Sequence, residues 1–458
     1  MQKEEILQKL IEVEARLKAG LPSEEEYVTV ARYRYLVRKD EAGRQIWTEA
    51  IQTALWEQRA VYLPERREPY YVDGTIEIPS GRHIKADLKA VIRQPEGVRV
   101  LMFRNVNTVD GTHLPPAREG RDCDISIIGG RWEESHTMRA GYGRSGMYDE
   151  ERSFYGVSAC MLFNHIERLV LRDMTFVHTG GFAVQAGELS DVLFENITFV
   201  ECFADGLHIN GNSENLVIRD IRGQVGDDLV ALNMYDWQNS SVNFGPMKNV
   251  LCDNLQLSPD SGYKAMRIEP GIYYFDDGSQ VDCSLENAII RKVTGINTFK
   301  LYFQTPRYRI GEEPEKGAVG SGDHIYFEDI TIDLDGPIDR LEEYLTSDPV
   351  RGTFAGFELG ANIGHLFLED IRIRLHRDQY PMSFLVCIGP KSCIRDGIEE
   401  VFDPYLSSMV EKLYLKNIEV NGEQITDAAP YLKEIRFEDV NGDGHSTGCG
   451  VIKEVIIS

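Results

Sequence analysis

An eleven-residue phrase keeps returning along the chain. IERLVLRDMTF (166–176) is rewritten as LSDVLFENITF (189–199), SENLVIRDIRG (213–223), MKNVLCDNLQL (247–257) and LENAIIRKVTG (285–295). It recurs as GDHIYFEDITI (322–332), IGHLFLEDIRI (363–373), VEKLYLKNIEV (410–420) and LKEIRFEDVNG (432–442), with an earlier copy in DCDISIIGGRW (122–132). Each copy alternates apolar and polar residues, bends at one position, then alternates again, which is the period of a strand on both sides of the bend. Asp173, Asn196, Asp220, Asn254, Asp329, Asp370, Asn417 and Asp439 occupy that bend, as befits side chains that tolerate the left-handed conformation. Intervals of 23 and 24 residues separate the copies starting at 166, 189 and 213. A unit of that size holding two or three short strands in one orientation is one coil of a parallel β-helix. An antiparallel sandwich also has many short strands, but it does not return one phrase in one direction.

The expected architecture is therefore all-β, a single-stranded right-handed parallel β-helix of about ten coils, spanning residues 46–458. Residues 1–45 form an N-terminal helical cap segment, and IWTEAIQTALW (46–56) reads as a helix that covers the open end of the first coil. An end of this kind needs cover because its backbone groups would otherwise pair with another chain. Eight scattered cysteines with no Cys-x-x-Cys pair fit buried thiols, not a disulfide frame or a zinc site. A formal charge of -25 excludes a nucleic-acid partner, which requires a basic face. No apolar run reaches the length of a membrane span. The charged start MQKEEILQKL lacks a secretory core, so a cytoplasmic location is expected.

A further strand precedes the phrase in each coil: GFAVQA (181–186), DGLHING (205–211), DLVALNM (228–234), KAMRIEP (264–270) and KLYFQTP (300–306). Laid in register, Asp205 and Asp228 share one position, and Lys264 takes it on the next row. His208, Ala231 and Arg267 form a second column. Gln185, Asn210, Asn233, Glu269 and Gln304 form a third. Equivalent positions on adjacent coils lie about 4.8 Å apart, so Asp205, Asp227 and Asp228 are expected to converge. Ladders of amides hold coils together without chemistry, and the third column reads first as such a ladder. Crowded carboxylates are another matter, because like charges on adjacent coils have no folding benefit.

Carboxylates forced together titrate apart, giving one group that holds a proton and one that stays ionised. That division suits glycoside hydrolysis, in which one carboxyl protonates the departing oxygen and another activates water. Asp205, Asp227 and Asp228 are the candidate catalytic residues. His208, Asn233, Lys264, Arg267, Glu269 and Tyr302 are candidates for binding substrate, and Tyr235, Trp237, Tyr273 and Tyr274 are candidates for stacking on sugar rings. No cofactor and no metal is expected.

On these motifs the chain resembles the family 28 glycoside hydrolases, the polygalacturonase group. ADGLHI matches that family's Asp-Gly at Asp205, VGDDLVAL matches its Gly-Asp-Asp at Asp227 and Asp228, and AMRIEPG half matches its Arg-Ile-Lys at Arg267. Glu269 stands where the family has lysine, and the family's Gly-His-Gly is missing. The resemblance covers residues 45–300 in detail. It implies a parallel β-helix that hydrolyses with inversion, with Asp227 or Asp228 as proton donor. Asp205 and the remaining aspartate would activate water, and Arg267 would hold substrate. With the lysine lost, the expected substrate is an oligosaccharide of neutral or differently decorated sugars, trimmed from an end. Two other readings stand beside this one: a β-helix lyase, epimerase or transferase, and a non-catalytic carbohydrate-binding β-helix.

Overall fold

In a computed structural model, the described residues are 2–108, 120–134, 159–236, 241–274, 277–302, 307–309, 319–335, 342–343, 354–389, 391–395, 398–402, 408–435 and 449–458. They fall into two compact units. The first comprises Leu7–Val230 with Gln238–Asn243, and the second Met1–Ile6, Ala231–Trp237 and Phe244–Ser458.

The first unit is a parallel β-helix of three ladders. One runs through Tyr27–Thr29, Ala60–Leu63, His83–Ala86 and Asp122–Ile128 into residues 166–172, 189–195 and 214–219. A second starts at Gln45–Ile46 and passes through Tyr70–Tyr71, Val91–Arg93 and Arg131–Glu133 to residues 175–177 and 198–200. The third comprises Ile76–Ile78, Phe103–Asn105, residues 161–162 and 184–186, and Leu207–Asn210.

Single left-handed residues turn the corners. Within the continuous strand Phe182–Cys202, Glu188, Asp191, Asn196 and Glu201 have φ between 49° and 57°. The expected bend residues all adopt this conformation, from Asp329 at 51° to Asn254 at 64°; only Asp439 lies outside the described residues. Neighbouring bends bond to each other, as where Asn196 Nδ2 donates to Asp173 Oδ1 at 2.7 Å. The alternating apolar residues stack inside, with Leu171, Phe194 and Ile218 fully buried and the Phe176 and Phe199 rings stacked 5.7 Å apart.

The helix Thr48–Glu57 completes the third ladder where a preceding strand is lacking. Gln52 acts as a substitute peptide: its Nε2 donates to the Glu77 carbonyl at 2.9 Å and its Oε1 accepts from the Glu77 N–H at 2.8 Å. Ala50, Ile51, Ala54 and Leu55 supply the buried face. The earlier helix Lys3–Ala19 lies along the flank of the coils. Its apolar stripe Leu10, Val13 and Leu17 is buried, while Arg16 pairs with Asp191 at 2.6 Å and Lys18 with Glu195 at 2.7 Å.

The second unit repeats the scheme. Its main ladder comprises Met247–Leu257, Leu285–Thr294, Ser321–Leu334, Asn362–Leu375, Ser408–Val420 and Gly450–Ile457. Another comprises Ala265–Ile268, Thr298–Tyr302, Phe354–Gly360, Ser383–Ile388 and Leu432–Glu434. This corrects one assignment from the repeat: LKEIRFEDVNG is not the last copy of the phrase. Leu432–Glu434 pairs with Val386–Ile388 in the other ladder, and GVIKEVII takes the expected place beside Ser408–Val420. Alternation alone does not say which side of a coil a strand belongs to. Among the described residues no helix is long and apolar enough to cross a membrane, and Cys123, Cys160, Cys202, Cys252 and Cys283 are free thiols.

Candidate active site

The three aspartates meet at the mouth of the third ladder of the first unit. Gly206 donates its N–H to the Asp228 carbonyl at 2.9 Å, and Leu207 to that of Leu229 at 3.1 Å. In a parallel pair this sets Asp205 opposite Asp228, 23 residues on. One carboxylate oxygen from each of Asp205, Asp227 and Asp228 lies within 4.8 Å of the other two. Asp205 and Asp228 are buried, whereas Asp227 is part-exposed.

The glycines of both motifs have a steric cause. A Cβ on Gly206 would stand 2.5 Å from the Phe199 ring and 2.6 Å from the Leu229 carbonyl, and one on Gly226 2.0 Å from the Phe203 carbonyl. Only glycine lets the backbone pass this close, and the close pass is what brings the aspartates together.

Asp205 accepts at both oxygens. The Asp228 N–H donates to Oδ1 at 3.3 Å, and His208 Nδ1 lies 2.6 Å from Oδ2. Asn210 Nδ2 lies 3.4 Å from the other His208 nitrogen. An amide N–H aimed at Nε2 makes Nε2 the acceptor and leaves the imidazole proton on Nδ1, facing Asp205. Phe182 fixes the ring by stacking on it at 3.9 Å and 10°. Asn210 is fixed in turn by Gln185 Nε2 at 3.1 Å, by the Val242 N–H at 3.1 Å and by Ser241 at 3.3 Å. Phe182, Ser241 and Val242 were not legible as site residues: an apolar ring and an inserted segment carry no chemical signature.

The register corrects one column. Gln185 pairs with His208, two residues short of Asn210, and its side-chain amide reaches Asn210 Oδ1.

The other candidates belong to the second unit. Arg267 is opposite Lys300, and Lys300 opposite Glu358; with Gln304 set in the Glu269 column, the aligned rows had put Tyr302, not Lys300, beside Arg267. Arg267 and Lys300 both lie 5.1 Å from the buried Tyr263 ring, and Lys300 lies 5.9 Å from the Tyr302 ring. Asn233, Glu269, Lys300 and Glu358 are buried, whereas Lys264 and Arg267 are part-exposed. Of the aromatics, Tyr273 is stacked on Phe244 at 3.8 Å and is buried, while Tyr274 is exposed. Gln304 and Trp237 lie outside the described residues.

No protein-family model matches the chain, and no curated protein matches it in sequence. Solved structures similar to it include a hyperthermoactive exopolygalacturonase from Thermotoga maritima, at 10% identity and a TM-score of 0.48, covering 98% of this chain and 96% of that one. The surface adhesin PfbA of Streptococcus pneumoniae gives 13% identity and a TM-score of 0.40, with 94% and 91% covered. The catalytic domain of a family 87 alpha-1,3-glucanase gives 11% and 0.43, with 95% and 66% covered. These likenesses join hydrolases and an adhesin, and at such distances they carry no argument about activity.

Proposed function

We propose that the protein is a glycoside hydrolase acting on oligosaccharides through Asp205, Asp227 and Asp228. The observation that carries this reading is the convergence of three carboxylates at one ladder mouth, held by glycine-dependent backbone approach. Asp227, the part-exposed member, donates its proton to the glycosidic oxygen as the bond to the anomeric carbon breaks. Asp205 and Asp228 hold a water between them and take its proton as its oxygen attacks that carbon. Two hydrogen bonds donated to Asp205 suit its ionised form, and His208 orients it.

The carboxylates lie closer than the roughly 6.5–9.5 Å usual for an acid and base on opposite faces of a sugar. Inversion therefore depends on the water being gripped by the Asp205–Asp228 pair, and NMR of the first anomer released tests it. Asp205→Asn, Asp227→Asn and Asp228→Asn are each expected to lower kcat by about 10²–10⁴-fold with an unchanged circular dichroism spectrum. A panel of oligosaccharides supplies the substrate, and a variant that still cleaves at the wild-type rate overturns the assignment.

A second reading has one observation in its favour. Oxygens this close together also suit a divalent cation, as in a lyase that binds calcium beside a uronate. Loss of activity with chelator, together with a new double-bond absorbance in the product, would select it over hydrolysis.

A further inference from the structure

Away from the aspartates, the adjacent strands Ser321–Leu334 and Asn362–Leu375 of the second unit carry a different constellation. His365 Nδ1 lies 2.8 Å from Asp323 Oδ1, and His324 Nδ1 lies 2.8 Å from Asp323 Oδ2. The two imidazole rings are 4.9 Å apart, and one ligand atom from each of the three residues falls within 4.8 Å of the others. All three are part-exposed, so the cluster is open to solvent.

Two features set this cluster apart from ordinary coil stacking. On the two preceding coils of the unit the corresponding left-handed corner is asparagine, Asn249 and Asn287, and Asn287 Nδ2 donates a hydrogen bond to Asn249 Oδ1 at 3.2 Å. At the next coil that amide ladder stops and His324 takes the corner with φ 53°, although asparagine is the better residue for such a turn. The second feature is Gly364: a Cβ there would stand 2.5 Å from Asp323 Oδ1 and 3.0 Å from its Cγ. The missing side chain is what gives the carboxylate room between the rings.

We propose that Asp323, His324 and His365 form a binding site for a late first-row divalent cation, of which zinc is the representative. Two imidazoles and one carboxylate are the donor set such ions prefer, whereas calcium and magnesium take oxygen ligands. Zinc bonds of about 2.0–2.2 Å to nitrogen and oxygen require only small shifts of atoms already this close. Binding through Nδ1 uses the imidazole tautomer that carries its proton on Nε2, and water completes the fourth position. Lys412, opposite His365 in the next strand, is an adjacent positive charge; Glu454 draws on it at 3.9 Å. Since the ligands come from two coils, the bound ion cross-links them.

The test is equilibrium dialysis of the full chain against Zn²⁺, with Co²⁺ absorption as a second readout. Wild type is expected to bind one more Zn²⁺ than His324→Asn or His365→Gln, and to give a visible Co²⁺ band that both variants lose while keeping their circular dichroism. The asparagine variant restores the residue used at the neighbouring corners, so folding is preserved. Asp205→Asn is expected to keep the ion, which separates this site from the aspartate cluster. Wild type that binds no Zn²⁺ at about 10 µM, well above the affinities of built zinc sites, overturns the proposal. So do His324 and His365 variants that retain the full stoichiometry.

Discussion

Two buried titratable groups of the first unit pull its stability in opposite directions over one pH range. Burial pushes the Glu134 carboxyl from 4.5 up to about 7, opposed by the Gly180 N–H, which donates to it at 2.9 Å, and by the Cys160 thiol. Burial also pulls the His83 imidazole, 2.9 Å from the Ser126 hydroxyl, from 6.5 down to about 4. Between pH 4.5 and 7 the folded unit keeps the Glu134 proton that the unfolded chain has released, so stability falls as pH rises. Between pH 4 and 6.5 the unfolded chain holds a His83 proton that the folded unit excludes, so stability rises with pH. Moving from 4.5 to about 7, or from 6.5 to about 4, corresponds to about 3 kcal/mol in each case. The two contributions therefore nearly cancel in wild type, and only variants expose them. Glu134→Gln removes the fall, so it gains about 3 kcal/mol over wild type between pH 4.5 and 7.5. His83→Gln removes the rise and loses a similar amount relative to wild type between pH 4 and 7. Urea titrations followed by tryptophan fluorescence suit the measurement, since Trp47, Trp56 and Trp132 all belong to this unit. A difference between Glu134→Gln and wild type that stays constant across the range would refute the reasoning.

Gln52→Ala removes both side-chain bonds to Glu77 and bares the edge of the third ladder. It is expected to cost about 1–3 kcal/mol and to raise light scattering through edge pairing, read by urea titration and by dynamic light scattering. Gly206→Ala forces a methyl into the Phe199 ring and the Leu229 carbonyl and is expected to destabilise by about 3 kcal/mol or more. Because that clash sits beside Asp205, activity should fall at temperatures well below the melting midpoint, measured by comparing turnover with thermal unfolding.

One corner in each coil was legible because Asp or Asn marks it, whereas corners such as Glu188 and Glu201 carry no such mark. Asp173, Asn196 and Asp220 recur at fixed spacing, and each is left-handed in the structure. The ladder of the first unit that ends at Leu207–Asn210 and the ladder of the second unit that includes Ala265–Ile268 have no such marker. Their strands are short and the loops between them vary in length, so the rows could be aligned only by their alternation. Alternation is sensitive to a slip of one residue, which turns every side chain over, but it is blind to a slip of two. Gln185 shows the consequence: it was assigned to the outward face and does share that face with His208 and Asn210, yet its neighbour across the strands is His208. Lys300 shows the same slip, opposite Arg267 where Tyr302 had been expected. Asp205 and Asp228 escaped the error because the 23 residues between them equal one coil interval, that from 166 to 189, leaving no insertion to shift one row against the other. Gly206 agrees with that register: a Cβ there would meet the carbonyl of Leu229, the residue after Asp228, so a steric requirement holds the pairing at the place where the proposed chemistry depends on it.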